Sequence, residues 1–254
     1  MITDAMIHAD KLLGRFDIEG IVCYPSTDKL CCFSAKTNDD LVYLFVKDKE
    51  PNYDYKEFGI RKWGAIHAIL DLGDINQPET FKMRLETDDY GYPSVLHTIV
   101  NSNIKLTHYL QNYTFLSRQP ELLELYKQKR FELTNAATMA QDIFDGNHIK
   151  SLTKIGTMLN EKYFRINQTD DGDIYFYFGD ENQTIDSAKV AINNRCQPIV
   201  WKTETYFSLE YFTQLFRTLG GNESVKMKLT PTQIIMVNED QQALRVAILR
   251  GKNM

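Results

Sequence analysis

The stretch that most limits how this chain folds runs from Tyr206 to Leu249, where a short amphipathic helix leads directly into three brief strands. Leu209, Phe212, Phe216 and Leu219 recur at i, i+3, i+7 and i+10, which lines one helix face with apolar groups that a sheet must cover. Ser208 is placed to cap the helix, Glu210 favours its N-terminus, and Gly220-Gly221 is expected to supply a left-handed stop. The opposite face, with Glu210, Gln214 and Arg217, is then wet. Strands are expected over 225–229, 233–237 and 243–249. So small a strand-rich unit leaves edges that need partners.

The same order recurs along the chain. Residues 2–15 read as a helix with Thr3 as N-cap and Met6, Ala9, Leu13 and Phe16 along its apolar edge, while Asp4, His8, Lys11 and Arg15 form a wet stripe. Strands over 20–24, 29–35 and 41–46 follow, with turn chemistry at 25–28 and 37–40, and another strand is expected at 53–59. A second helix, 61–72, buries Trp63, Ile66, Ile69 and Leu70, and strands over 80–86, 94–100 and 104–107 come after it. Residues 109–127 break the rhythm around Pro120 and read as a connector. Beyond it, Thr134 is expected to cap a helical stretch to Asn160, interrupted at 145–147, whose second half turns Ile149, Leu152, Ile155 and Leu159 inward and Lys150, Lys154 and Thr157 outward. Strands over 163–169, 173–179 and 184–192 follow, with Asp170-Asp171-Gly172 as a hairpin turn. Helix plus three strands, used four times, gives an N-terminal domain of 1–112, a connector of 113–128 and a C-terminal domain of 129–254.

Composition narrows the class. The chain has 254 residues and a formal net charge of −5, from 34 acidic and 29 basic side chains, which argues against nucleic acid only if the charge is evenly spread. An acidic exterior around one basic face gives the same sum. No apolar run approaches the roughly 18 residues of a membrane span, and Asp4 and Asp10 interrupt any signal-like N-terminus, so a cytoplasmic location without membrane association is expected. Four cysteines, Cys23, Cys31, Cys32 and Cys196, are too few and too clustered for a disulfide framework and read as core residues.

The order of elements, with the stretches Phe58 to Ile66, Ile149 to Gln168 and Phe207 to Leu249, makes the chain resemble a DNA sliding clamp of the two-domain kind found in tailed-phage, archaeal and eukaryotic replisomes. The short connector and extended second domain point to the phage branch. The resemblance implies an α+β fold with two helices per domain packed on antiparallel sheets, and a closed homotrimer whose six domains turn their helices toward a central hole. It further implies sequence-independent binding of double-stranded DNA, placement by an ATP-driven clamp loader and tethering of a DNA polymerase as a processivity factor, without catalysis or a cofactor. Two features depart from the pattern: a long insertion at 135–147, and a first helix with no leading strand.

Lys11, Arg15, Lys62, Lys150, Lys154 and Arg217 fall on the wet faces of all four helices of an otherwise acidic chain, the diffuse cationic surface that phosphate contact requires. Tyr113, Phe115 and Leu116, with Ile248 and Leu249, are candidates for the pocket in which clamps receive partner peptides, and core membership explains them equally well. Asp88, Asp89, Asp170, Asp171 and Asp173 resemble metal ligands, but turn chemistry already accounts for them. The histidines, His8, His67, His97, His108 and His148, show no metal-ligand spacing, and no phosphate loop or nucleophile motif is present. Two other readings stay open: a monomeric clamp-fold protein holding duplex on a basic face, and a carboxylate-metal nuclease.

Overall fold

Each of the four described helices is followed by an antiparallel meander, and the strands that lead into three of them add to a neighbouring meander's sheet. The computed structural model describes residues 2–14, 16–24, 31–39, 41–48, 55–72, 80–101, 103–111, 140–144, 146–169, 171, 173–179, 187–195, 205–220, 225–229, 232–239 and 243–253. Arg15, Tyr113, Phe115, Leu116, the connector, the turn at 25–28, Cys196 and the start of the insertion lie outside them. The chain divides into two units, Met1–Phe131 with Glu239–Arg245, and Glu132–Asn238 with Val246–Met254.

The first unit contains α1 (Ile2–Leu13), β1 (Ile18–Tyr24), β2 (Cys31–Thr37), β3 (Val42–Asp48), β4 (Phe58–Arg61), α2 (Trp63–Asp71), β5 (Phe81–Thr87), β6 (Pro93–Val100) and β7 (Ile104–Tyr109). Its sheets run β4-β1-β2-β3 and β5-β6-β7. Trp63, Ile66 and Leu70 of α2 are buried as their spacing requires, and Ile69 is half-buried.

Helix α1 departs from expectation. Thr3 lies inside the helix, and its hydroxyl accepts a hydrogen bond from the backbone N–H of Met83 on β5 instead of capping α1. Along the expected wet stripe Lys11 is exposed and Asp4 and His8 are half-buried, while Arg15 lies outside the described residues. The expected apolar edge, Met6, Ala9, Leu13 and Phe16, is buried, and Asp10, outside the stripe, is buried against His67.

The second unit contains β8 (Ala140–Phe144), α3 (Gly146–Leu159), β9 (Tyr163–Gln168), β10 (Asp173–Phe178), β11 (Ala188–Arg195), β12 (Thr205–Ser208), α4 (Leu209–Leu219), β13 (Val225–Leu229), β14 (Gln233–Glu239), β15 (Ala243–Arg250) and β16 (Lys252–Asn253). Its strands are ordered β11-β10-β9-β12-β16 and β8-β13-β14-β15. Residues 140–144 are therefore a strand rather than part of the helical stretch expected from Thr134 to Asn160. They pair with β13 from Val225↔Phe144 to Leu229↔Ala140, and an open sheet edge outweighs local helix propensity. The apparent insertion thus includes the leading strand of the third repeat.

Helix α4 forms as its sequence dictates: Ser208 Oγ accepts from Tyr211 N, and Leu209, Phe212, Phe216 and Leu219 are buried. Its end does not use a left-handed residue at Gly220, whose φ of −161° is extended backbone. Phe81-Lys82-Met83-Arg84-Leu85 of β5 and Val225-Lys226-Met227-Lys228-Leu229 of β13 are near-copies at equivalent places after α2 and α4, with the first, third and fifth residues buried in both.

Candidate nucleic-acid interface

The five described members of the basic set, Lys11, Lys62, Lys150, Lys154 and Arg217, are all exposed. Three of them come together. Along the junction of α3 and α4 runs an open groove of about 370 Å³ lined by Gly146, Ile149, Lys150, Thr153, Lys154, Phe216 and Arg217. Its floor is apolar, with Ile149 and Phe216 buried, and no carboxylate stands among its described lining residues. Thr153 bends its hydroxyl back to the carbonyl of Ile149 and lies 3.4 Å from the Thr213 hydroxyl, so the helix junction satisfies its own polar groups. The cations are left for an anion.

On the other side of Arg217 a second hollow of about 450 Å³ includes Glu161, Lys162, Glu210 and Gln214, whose amide donates to Glu210 at 3.0 Å. Its mixed charge does not favour phosphate. The helix pair of the first unit is less basic than α3 and α4. Lys11 and Lys62 are exposed, but α2 otherwise presents Gly64, Ala65, Ala68, Asp71 and Leu72. Lys62 sits at the α2 N-terminus in the left-handed region, φ 61° and ψ 57°, with its N–H donated to the carbonyl of Glu19.

His8, His67 and His97 do find acidic partners, which spacing alone does not reveal. His8 Nε2 lies 2.6 Å from Asp48 Oδ2, and Arg245, which groups with the first unit, donates to both oxygens of Asp48 from Nε at 3.2 Å and Nη2 at 3.0 Å. Burial works against an ionised Asp48, yet the bonds from His8 and Arg245 outweigh it and hold the carboxyl below its ordinary range. His67 Nδ1 lies 2.9 Å from the buried Asp10; here desolvation prevails and lifts the carboxyl above its ordinary range despite that bond. His108 is pushed down by desolvation, against the pull of its bond to the Arg61 carbonyl. Asp48 and Asp10 anchor α1 to its surroundings, and neither pair opens into a described groove.

Asp88 and Asp173 take part in turns, and Asp170 lies outside the described residues. Asp88 accepts from the N–H groups of Tyr90 and Tyr92, with Gly91 at φ +78° completing the bend, and Asp173 closes its hairpin against Thr169. Among the described residues no group of three or more His, Cys, Asp or Glu could hold a metal ion. No described helix is long and apolar enough to cross a membrane. Cys23 is buried, as expected of a core residue. Of the proposed peptide pocket, only Ile248 and Leu249 are described. They are 3% and 0% exposed, which makes them core residues of β15 and gives an incoming peptide nothing to touch there.

No family model and no curated protein matches the sequence. Solved structures do. The chain is similar to A. fulgidus PCNA, crystallised with the C-terminal region of FEN-1, with 12% identity, a TM-score of 0.60, and 98% of this chain and 96% of that one covered. Entamoeba histolytica PCNA gives 12% identity and 0.55 over 98% and 96%. The H. pylori beta clamp gives 11% identity and 0.61, covering 98% of this chain, which spans 63% of the clamp's length. The chain has the α+β sliding-clamp fold.

Proposed function

We propose that this chain is the subunit of a ring that encircles duplex DNA and holds a DNA polymerase on its template, acting as a processivity factor and not as an enzyme. The observation that carries the reading is the carboxylate-free groove in which Lys150, Lys154 and Arg217 converge on the helix side of the second unit. Exposed cations on an apolar floor offer phosphates loose, sequence-independent contacts, which suit movement along a duplex.

Three copies, each of two units, make a six-unit ring. Strands β7 and β11 are edges of their sheets, so β7 of one copy pairs with β11 of the next and closes it. PCNA from A. fulgidus binds the C-terminal region of FEN-1, and by analogy this ring receives terminal segments of its partners, the polymerase and a clamp loader among them. It works in the cytoplasm, that of the host if the protein is viral.

The test is the double variant Lys150→Glu/Lys154→Glu. Processive synthesis on primed circular DNA is expected to fall and the salt dependence of binding to flatten, because fewer counterions are released per complex. Stability should change by no more than about 0.5 kcal/mol, as both side chains are exposed and away from caps. Undiminished processivity with an unaltered salt slope would show that α3 and α4 do not face DNA.

A further inference from the structure

One face of the five-stranded sheet packs against α4, with the Phe212 ring 5.3 Å from that of Phe164 and 5.8 Å from that of Phe176. The other face carries a row that crosses every strand. Lys189 of β11 stands opposite Tyr177 of β10, Tyr177 opposite Arg165 of β9, and Tyr206 of β12 opposite Lys252 of β16. Arg165 joins the two halves, its guanidinium 5.1 Å from the Tyr177 ring and 5.4 Å from that of Tyr206. Cation and tyrosine alternate along five strands, a span of roughly 20 Å at the usual strand spacing.

The cations are held by rings, and Arg165 also by the Gly179 carbonyl, to which its Nη2 donates at 3.2 Å, instead of by acids. Lys189 Nζ lies 5.0 Å from the Tyr175 centroid and 5.9 Å from that of Tyr177, and Lys252 Nζ lies 4.2 Å from the Tyr163 centroid while donating to its hydroxyl at 2.8 Å. Among the described residues none of the three makes an ion pair. Arg165 Nε is buried without a hydrogen-bond partner, and Asp173 is at the far end of β10 from Tyr177. A ring fixes a cation without neutralising it, so in a chain of net charge −5 this face keeps three full positive charges beside half-exposed Tyr163, Tyr175 and Tyr206.

We propose that this face binds single-stranded nucleic acid, phosphates on Lys189, Arg165 and Lys252 and bases stacked on the half-exposed Tyr163, Tyr175 and Tyr206, with the buried Tyr177 bracing the cations from beneath. A flat sheet bearing aromatics among cations serves unpaired bases, whose ring faces are free; a duplex offers only its backbone. Side chains alone make the row, so the β11 edge stays free for strand pairing. Neither ring closure nor loading enters the proposal, and its failure leaves the proposed function standing.

The test is fluorescence anisotropy on the full chain, without a loader, using a labelled oligothymidylate of about 20 nucleotides and a duplex of equal length. The oligothymidylate is expected to bind more tightly than the duplex, and Lys189→Glu/Lys252→Glu and, separately, Tyr206→Leu to weaken it about tenfold or more. Lys150→Glu/Lys154→Glu should leave it unchanged. No binding, a preference for duplex, equal loss in the Lys150/Lys154 variant, or unchanged affinity in both row variants with native circular dichroism would each overturn the proposal. Competition by polyglutamate as effective as that by unlabelled oligothymidylate would also overturn it, in favour of an acidic protein segment.

Discussion

Asp48, with a side chain only 6% exposed, accepts from His8 on α1 and from both arms of Arg245, so three elements depend on one carboxylate. Its folded-state pKa lies below the usual 3.8, and the stabilisation is therefore complete above that value and lost as pH falls through the lower, folded pKa. Asp48→Ala is expected to lower stability by about 3 kcal/mol at neutral pH, since the Arg245 guanidinium and the His8 ring lose their acceptor, and the gap to the wild type should narrow as pH drops below 4. Urea midpoints at pH 7 and pH 3 check this; equal midpoints at pH 7 would mean that Asp48 does not anchor α1. Lys62 makes a smaller, opposite case. Lys62→Gly removes left-handed strain at the α2 N-terminus and should raise stability by up to about 1 kcal/mol in the same measurement.

Helices α3 and α4 owe their spacing to Gly156, where an added methyl would collide with Leu209 and stand 3.3 Å from the Glu161 carbonyl and 3.4 Å from the Phe178 ring. Gly156→Ala is expected to destabilise by about 1–3 kcal/mol in thermal or urea unfolding, and an unchanged midpoint would show that the junction yields freely. How much of an element could be read in advance tracks how locally it is determined. Helix α4 follows from Ser208 and four apolar residues, all within its own 12 positions. Strand β8 was missed because its partner β13 lies some 80 residues away and nothing in 140–144 announces an edge to be filled. The start of α1 is less legible for the same reason: Thr3 reads as a cap and His8 as a wet side chain until Met83 and Asp48 are brought against them. The basic groove was readable as Lys150 and Lys154 on one face, but the arrival of Arg217 beside them is a product of packing. The tyrosine–cation row was invisible because its members come from five strands and meet only through register.

At the scale of the whole chain, the repeats explain each other: β12 and β4, the strands that lead into α4 and α2, pair with the preceding meander, while β8, leading into α3, pairs with β13 of the meander after α4. That scheme leaves β7 and β11 as edges, and edges of this kind are satisfied by a second copy. Under the proposed function, their head-to-tail pairing closes the ring. The mass in solution, by light scattering coupled to size exclusion at micromolar concentration, tests this most directly. A particle three times the 29.5 kDa chain is expected, and a particle that remains a monomer across the concentration series would contradict encirclement and leave a protein that holds duplex on one basic face.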